Sequence, residues 1–322
     1  MAFDSGTFIN PNDGLDKIRL FLIAQGWAQE SWTTESGNQR LHMSKGGVYL
    51  NAKASNAGAN IWQACAFPTT SIGFSLGTAF NAANAWYDQT GVVRNISNQG
   101  IGACLPLPAG AVTSYELFYD PAYESLVIYV QATTGVWRWA GFGAELVKAG
   151  AWTGGPWVAS CADFNYANFN PNGAPGHGST FAQVYPFGAN RDNYSAAGPL
   201  IYLRADVDTF TGKWLSCGPN DITGKAGGTN IAGGVACSSN VPALTGLLER
   251  SCNAMNSLSV LLPVQVFAVR DAGGKSLLGS LPNIYASNVS GLAVGAPYVL
   301  GASSYYPFPA DASSRGTVIK RV

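Results

Sequence analysis

The stretch YELFYDPAYESLVIYVQATTGVWRWAGF, residues 115–142, indicates the fold of this chain. It holds three runs rich in aromatic and β-branched residues, which are typical of strands. Turn signals separate the runs, Asp-Pro at 120–121 and Thr-Gly at 134–135. The stretch therefore predicts an antiparallel meander. In the middle run, residues 126–131, the apolar side chains are nearly continuous, as expected for a strand that is covered on both faces.

One helix is predicted before the meander, and strands are predicted on both sides of it. Asp13 can cap the helix and Gly26 can end it, and Leu15, Ile18 and Leu22 fall on one face. Further strands are predicted at residues 40–44, 48–52, 61–67, 199–204, 213–217, 258–270, 284–286, 298–300 and 317–322. The predicted fold class is therefore α+β, mainly β, with an N-terminal helix packed on an antiparallel sheet.

The middle of the chain differs in composition from both ends. Residues 158–257 are rich in Gly, Asn and aromatic residues, which predicts long ordered loops with short strands. Residues 1–157 form the predicted N-terminal α+β domain. Residues 258–322 are apolar again and contain glycine-rich turns, so they predict a small C-terminal β-barrel or sandwich.

The charge content of the chain restricts its partners. Charged residues make up 11% of the 322 residues, well under the figure of about 25% in ordinary globular proteins. Because the 18 Lys and Arg residues only balance the 18 Asp and Glu residues, we do not expect a nucleic-acid partner. Interface cores are depleted of charge, so the composition favours a subunit that other protein chains cover. A neutral secreted monomer is the alternative.

No segment of the chain predicts export or membrane insertion. The opening MAFDSGTFINPNDG has neither a basic start nor an apolar run, so we expect no signal peptide and synthesis in a cytoplasm. The longest apolar run, residues 258–269, contains Pro263 and Gln265 and is too short to span a bilayer.

The cysteines and histidines do not predict a metal site. No C-x-x-C motif occurs, and only two histidines are present, so we expect no structural zinc and no cofactor. Among the six cysteines, Cys217, Cys237 and Cys252 are the best candidates for a disulfide after release into an oxidising medium. Buried free cysteines are the alternative.

Three stretches of the chain resemble the pattern of a known family. They are LDKIRLFLIAQGW at residues 15–27, WAGFGAEL at 139–146 followed by Trp-Thr-Gly-Gly at 152–155, and LPNIY at 281–285 followed by residues 305–309. Together they are similar to structural proteins from the virions of tailed bacteriophages. The resemblance implies a tail, baseplate or neck subunit whose partners are other virion proteins and copies of itself. It implies no catalytic residue and no cofactor.

Four tryptophans suggest a second function. Trp137, Trp139, Trp152 and Trp157 lie close together in sequence, and exposed tryptophan rings stack on sugars or fill pockets in partner proteins. The second hypothesis is therefore a host-surface binding module of a tail fibre, which grips a glycan or a protein receptor. Packing of these rings in the core is the alternative.

The segment Gly-Phe-Ser-Leu-Gly at residues 73–77 fits the G-x-S-x-G nucleophile motif of serine hydrolases. The motif needs a strained strand-to-helix turn at Ser75, followed by an acid and a histidine. Asp120 or Asp163, and then His177, follow in a permitted order. A serine hydrolase is therefore the third hypothesis. A strand or loop loosened by glycine is the alternative, and it is favoured because no alternating strand–helix pattern surrounds the motif.

Two pairs of acidic residues have spacings that can carry chemistry. Asp206 and Asp208 can share one face of an extended segment and hold a weak calcium ion. Glu116 and Glu124 flank a predicted turn and can approach each other as the carboxylates of a glycosidase do. Solvated turn carboxylates are the alternative for both pairs, so the sequence predicts neither a catalytic residue nor a metal ligand.

Overall fold

The computed structural model describes residues 1–56, 70–92, 102–108, 110–160, 162–163, 200–207, 210–217, 234–237, 261–269, 275–289, 291–309 and 315–322. Within these ranges the chain is mainly β with a single helix, α1 (Pro11–Ala24), packed on sheets, which confirms the predicted class.

Twenty strands accompany the helix in the described part of the chain. The first ten are β1 (Ala2–Gly6), β2 (Ala28–Glu35), β3 (Asn38–Lys45), β4 (Val48–Ser55), β5 (Ser71–Gly77), β6 (Ala103–Pro106), β7 (Ser114–Asp120), β8 (Ser125–Thr133), β9 (Val136–Gly143) and β10 (Val147–Lys148). The others are β11 (Gly154–Ser160), β12 (Ala162–Asp163), β13 (Leu200–Val207), β14 (Phe210–Cys217), β15 (Gly234–Cys237), β16 (Leu262–Val269), β17 (Lys275–Asn288), β18 (Tyr298–Leu300), β19 (Ser303–Pro309) and β20 (Arg315–Arg321).

Helix α1 begins at Pro11 because Asn10, and not the predicted Asp13, is its N-cap. The Asn10 side chain accepts a hydrogen bond from the Asp13 backbone N–H at 3.0 Å, which satisfies one of the helix's free amide groups. The helix ends at Ala24, and Gly26, the predicted terminator, follows the C-cap Gln25 with a positive φ of 82° that lets the chain reverse. Leu15, the first residue of the predicted apolar face, is fully buried.

The strands form two sheets. Sheet A has fourteen strands in the order β1-β7-β8-β9-β11-β13-β14-β15-β16-β17-β20-β19-β18, with β10 paired to β17. Sheet B has six strands in the order β12-β6-β5-β4-β3-β2. Neighbouring strands pair antiparallel, except for β14 and β15, which are parallel at Ser216 and Gly234. The predicted meander is β7, β8 and β9.

The meander is covered on both faces, which confirms the prediction for residues 126–131. Alternate side chains of β8 enter two different cores, because successive residues of a strand point to opposite faces. Ile128 packs in the first core, with α1 and sheet B. Tyr129 packs in the second core, with the C-terminal strands.

The C-terminal strands continue sheet A and then pack across its first strands. Phe308 of β19 stacks on Tyr129 of β8, with 3.7 Å between ring centroids, and Tyr306 packs edge-on against Phe118 of β7 at 5.0 Å. No sheet closes into a barrel among the described strands. Of the two predicted forms for residues 258–322, the barrel is not observed, and the described C-terminal strands pack face to face with β7 and β8.

Strands on both sides of the predicted domain boundaries belong to sheet A. Strand β11 extends across residue 157, and β15 pairs with β16 on the other side of residue 257. Most of residues 158–257 lies outside the described residues, so the division into three parts stays a prediction.

Candidate functional site

Ser75 lies in the middle of β5, fully buried, in regular antiparallel register with Asn51 of β4. A regular strand is not the strand-to-helix turn that a nucleophile elbow requires. The second glycine of the motif has a packing role, since a Cβ on Gly77 would lie 2.7 Å from the Thr90 carbonyl oxygen. The segment at residues 73–77 is therefore a strand against which another part of the backbone packs closely.

The proposed partners of Ser75 are not brought to it by the described residues. Asp120 ends β7, where its carboxylate accepts hydrogen bonds from the Asn283 side chain at 2.5 Å and from the Ala122 backbone N–H at 2.9 Å. The Ala122 contact holds the turn that follows β7, and the Asn283 contact joins this turn to β17. Of Asp163 only the backbone, in β12, is described, and His177 lies outside the described residues.

A row of three polar residues, which includes Ser75, crosses sheet B and was not predicted. His42 of β3, Asn51 of β4 and Ser75 of β5 are consecutive partners in the register, and all three are buried. Their neighbours Leu41 and Leu50 face the first core, so alternation places the row on the opposite face of the sheet. The alternation of residues 40–44 and 48–52 was a sequence signal that could have revealed it.

The hydrogen bonds of His42 fix its protonation. Arg40 donates from Nε to the His42 Nε2 atom at 2.7 Å. Because a guanidinium group only donates, Nε2 accepts, the ring proton lies on Nδ1, and Nδ1 donates to Asn51 Oδ1 at 2.6 Å. Burial lowers the pKa of His42 to about 4, so the ring is neutral at neutral pH. With both nitrogens engaged, His42 is not placed to take a proton from Ser75.

Charged groups at the edge of this row attach a neighbouring segment to the sheet. Glu35 accepts from Lys53 Nζ at 2.8 Å, and this contact lowers the pKa of the Glu35 carboxyl group. Arg40 donates from Nη2 to the Asn84 carbonyl oxygen at 2.7 Å. The Phe80 ring covers His42, with 4.5 Å between centroids. The contacts of Arg40 and His42 with Asn84 and Phe80 therefore hold residues 78–92 against sheet B.

The four tryptophans do not form an exposed platform. Trp139 and Trp157 are fully buried in the second core, and Trp137 is 5% exposed beside them. Trp152 is half-buried, and its Nε1 donates to the Leu278 carbonyl oxygen at 2.9 Å. Core packing is therefore the observed arrangement for three of the rings, because the C-terminal strands close over the sheet that carries them.

The remaining candidate residues lie partly outside the described residues. Cys217 and Cys237 end β14 and β15, of which only the backbone is described at these positions. Cys252 lies outside the described residues, so the disulfide stays a prediction. Asp206 lies on β13, and Asp208 is likewise outside the described residues. Within the described ranges, no three His, Cys, Asp or Glu side chains are grouped to hold a metal ion.

Glu116 and Glu124 do not form a carboxylate pair, since they lie on opposite sides of the meander. Glu124 lies on the side of the first core, where it accepts a hydrogen bond from Tyr119 Oη. It also forms an ion pair with the Lys45 ammonium group at 2.9 Å. Glu116 lies on the other side, close to Trp137 and Gly295, and is 8% exposed. Burial raises the pKa of Glu116 to about 7.

One exposed surface is almost free of polar side chains. Residues 291–302, GLAVGAPYVLGA, contain no polar side-chain group except the Tyr298 hydroxyl, and we call them the C-terminal apolar surface. None of the twelve is buried, and Val299 and Leu300 are 75% and 69% exposed. The flanking sequence adds no charge, because residues 276–310 contain no Asp, Glu, Lys or Arg.

The C-terminal apolar surface is held in place by the fold. Strand β18 is the last strand of sheet A, and among the described strands it pairs only with β19. The Gly295 N–H donates to the Pro307 carbonyl oxygen at 2.9 Å, and the Ala293 N–H donates to Tyr298 Oη at 2.7 Å. The sequence predicted a strand at residues 298–300 but not its position at the sheet edge; the run without charges was the available signal.

Comparison with protein-family models and with curated proteins finds no match to this chain. No helix in the described ranges has the length and apolar character needed to cross a membrane.

Proposed function

We propose that this chain is a non-catalytic structural subunit of a tailed-phage virion, in the tail, baseplate or neck, which works through protein–protein contacts. The observation that carries the proposal is the C-terminal apolar surface, which presents an ordered and uncharged edge of sheet A to the outside. Contiguous exposed apolar surface of this kind marks sites where proteins bind one another.

Burial of this surface gives a driving force for assembly. Full burial of a Val or Leu side chain stabilises a complex by about 1.5–3 kcal/mol relative to the exposed side chain. Val299 and Leu300 are both more than two-thirds exposed, so most of that free energy is still available when a partner binds. Tyr298, which is 39% exposed, adds an aromatic ring of the type enriched in interfaces.

The inward-facing polar groups support the same proposal. Several polar groups have hydrogen-bond or ion-pair partners within the chain and attach one segment to another. They are His42 and Asn51 of the polar row, Glu35 and Glu124. Groups engaged in this way stabilise a scaffold and are not poised toward a substrate. The low charge content, 11% of residues, also suits a subunit whose surface is covered by neighbours.

The virion assignment is tested by the protein content of purified particles. Particles of a phage that encodes the chain are separated from infected-cell lysate on a density gradient, digested and quantified by mass spectrometry. We expect the chain in the particle fraction at several copies per particle, in constant ratio to the major capsid protein. A chain that is abundant in the lysate but stays with the non-structural proteins would contradict the proposal.

A further inference from the structure

We infer that β18 is a self-association edge, where Val299 of one copy lies opposite Val299 of a second copy across a twofold axis. The inference rests on the proposed assembly function and names the partner as another copy of this chain. It is carried by the hydrogen-bond pattern of the β18–β19 hairpin, by the lack of charge at this edge, and by the contrast with the edge of sheet B.

The hairpin geometry turns the backbone of Val299 outward. Two residues, Gly301 and Ala302, connect β18 to β19, and Gly301 has a positive φ of 62°, as the first position of a type II′ turn requires. The residues that flank such a turn exchange both of their hydrogen bonds, and this pattern alternates along the ladder. The backbone N–H and C=O groups of Leu300 and Tyr298 therefore point toward β19. Those of Val299 point to the open edge.

An outward-facing residue at the centre of a short strand is self-complementary. When two copies of β18 approach antiparallel, a twofold axis passes between the two Val299 residues, and each donates its N–H to the carbonyl oxygen of the other. Tyr298 of one copy then lies directly opposite Leu300 of the other, and the two pairs bury apolar side chains that are exposed in the single chain.

The two sheets treat their exposed edges differently. Edge strands of soluble proteins are protected by charges, prolines or bulges that oppose pairing with another chain. In sheet B the edge strand β2 carries Glu30 and Glu35 and has an irregular register between Gln29 and Ser31. In sheet A the edge strand β18 is protected only by its length of three residues and by the preceding Pro297, and it carries no charge. No like charges therefore oppose its pairing with an identical strand.

The same observations favour a protein strand over a lipid surface. Lipid tails offer no partner for the Val299 N–H and C=O groups, whose exposure to hydrocarbon is costly. The run without charged residues, 276–310, also offers no Lys or Arg to attract anionic headgroups. A second copy satisfies both the backbone groups and the apolar side chains.

The test is the oligomeric state of the full chain, measured by sedimentation velocity from low to high micromolar concentration. We expect a concentration-dependent monomer–dimer equilibrium for the wild type. Val299→Pro removes the outward donor and leaves the β18–β19 hydrogen bonds intact, since proline is tolerated where the strand N–H faces solvent. We expect it to be monomeric throughout. Val299→Lys, which adds like charges at the axis, should also be monomeric.

The matched control is Ile9→Lys, because Ile9 is 68% exposed, close to the 75% of Val299, and lies away from β18. It should dimerise like the wild type. A cysteine at the axis gives a positional readout: Val299→Cys should form an intermolecular disulfide under mild oxidation, faster than Leu300→Cys and above the background of wild type, since only position 299 faces itself at a separation that a disulfide spans.

A wild type that stays monomeric at every concentration, or a dimer that persists in both Val299→Pro and Val299→Lys, would overturn the inference. So would binding to neutral phosphatidylcholine vesicles that Val299→Lys abolishes, which would assign the surface to lipid. A monomer that is nevertheless found in purified particles overturns only the self-association. A dimer that is absent from particles overturns only the virion assignment.

Discussion

Glu116 places a carboxyl group in the interior of the protein, beneath the C-terminal apolar surface. The side chain is 8% exposed, its Oε2 atom has no hydrogen-bond partner among the described residues, and a Cβ on Gly295 would lie 2.8 Å from its Oε1 atom. Burial raises the pKa of Glu116 from 4.5 to about 7, because the charged form loses its hydration.

The raised pKa of Glu116 predicts that stability falls as pH rises. The folded state binds the proton more tightly than the unfolded state, so the contribution of this group is fully present below about pH 4.5 and is lost as pH passes through about 7. Glu116→Gln should remove this dependence and should be more stable than wild type by about 3 kcal/mol above pH 7. Urea unfolding at several pH values measures the difference.

Glu30→Gln is the control for the Glu116 experiment, since Glu30 is an exposed carboxylate on β2. It should shift the free energy of unfolding little at any pH. Parallel pH profiles for wild type and Glu116→Gln would show that the carboxyl group is not buried as described.

The buried hydrogen bond between Asn51 and His42 leads to a second prediction about stability. Asn51→Ala removes the acceptor of the His42 Nδ1–H in a fully buried position, and an unsatisfied buried donor costs about 1–3 kcal/mol. We expect a loss of stability of that size in chemical denaturation. Ser44→Ala, at the margin of the same face of β3, is the comparison, and it should cost clearly less. Equal losses for the two variants would contradict the role assigned to the row.

Single elements follow from local sequence where their signals are local. The helix, the β3–β4 hairpin and the β7–β9 meander were predictable, because turn residues and apolar periodicity set them within a few neighbours. The sequence analysis placed the N-cap at Asp13, whereas the structure has it at Asn10. Both residues are good caps, and the choice between them depends on Pro11 at the first helical position. The edge position of β18 was not predictable, because strand order depends on contacts distant in sequence.

The N-cap assignment has its own test. Asn10→Ala should destabilise the protein by about 1 kcal/mol through the loss of the hydrogen bond to the Asp13 N–H. Asn10→Asp keeps the acceptor and should be close to wild type, whereas Asp13→Ala should affect the helix less than Asn10→Ala does. Thermal unfolding followed by circular dichroism measures all three. A larger loss for Asp13→Ala than for Asn10→Ala would restore Asp13 as the cap.

The whole molecule is a sheet whose far end packs over its own beginning. This packing buries Trp137, Trp139 and Trp157, because β17, β19 and β20 cover them. The sequence alone did not decide whether these rings lie in the core or at the surface. The same arrangement places β18, within the C-terminal apolar surface, at the edge of sheet A. Sequence composition favoured the hypothesis of an assembly role, whereas the location of the C-terminal apolar surface required the three-dimensional arrangement.

Electron microscopy of intact particles, with this chain traced in the density, tests the assembly function most directly. We expect the chain at repeated, symmetry-related positions, with residues 291–302 buried against another protein chain and with Val299 and Leu300 no longer exposed to solvent. Density that accounts for the complete particle without this chain, or that leaves the C-terminal apolar surface facing solvent in every copy, would contradict the proposed function.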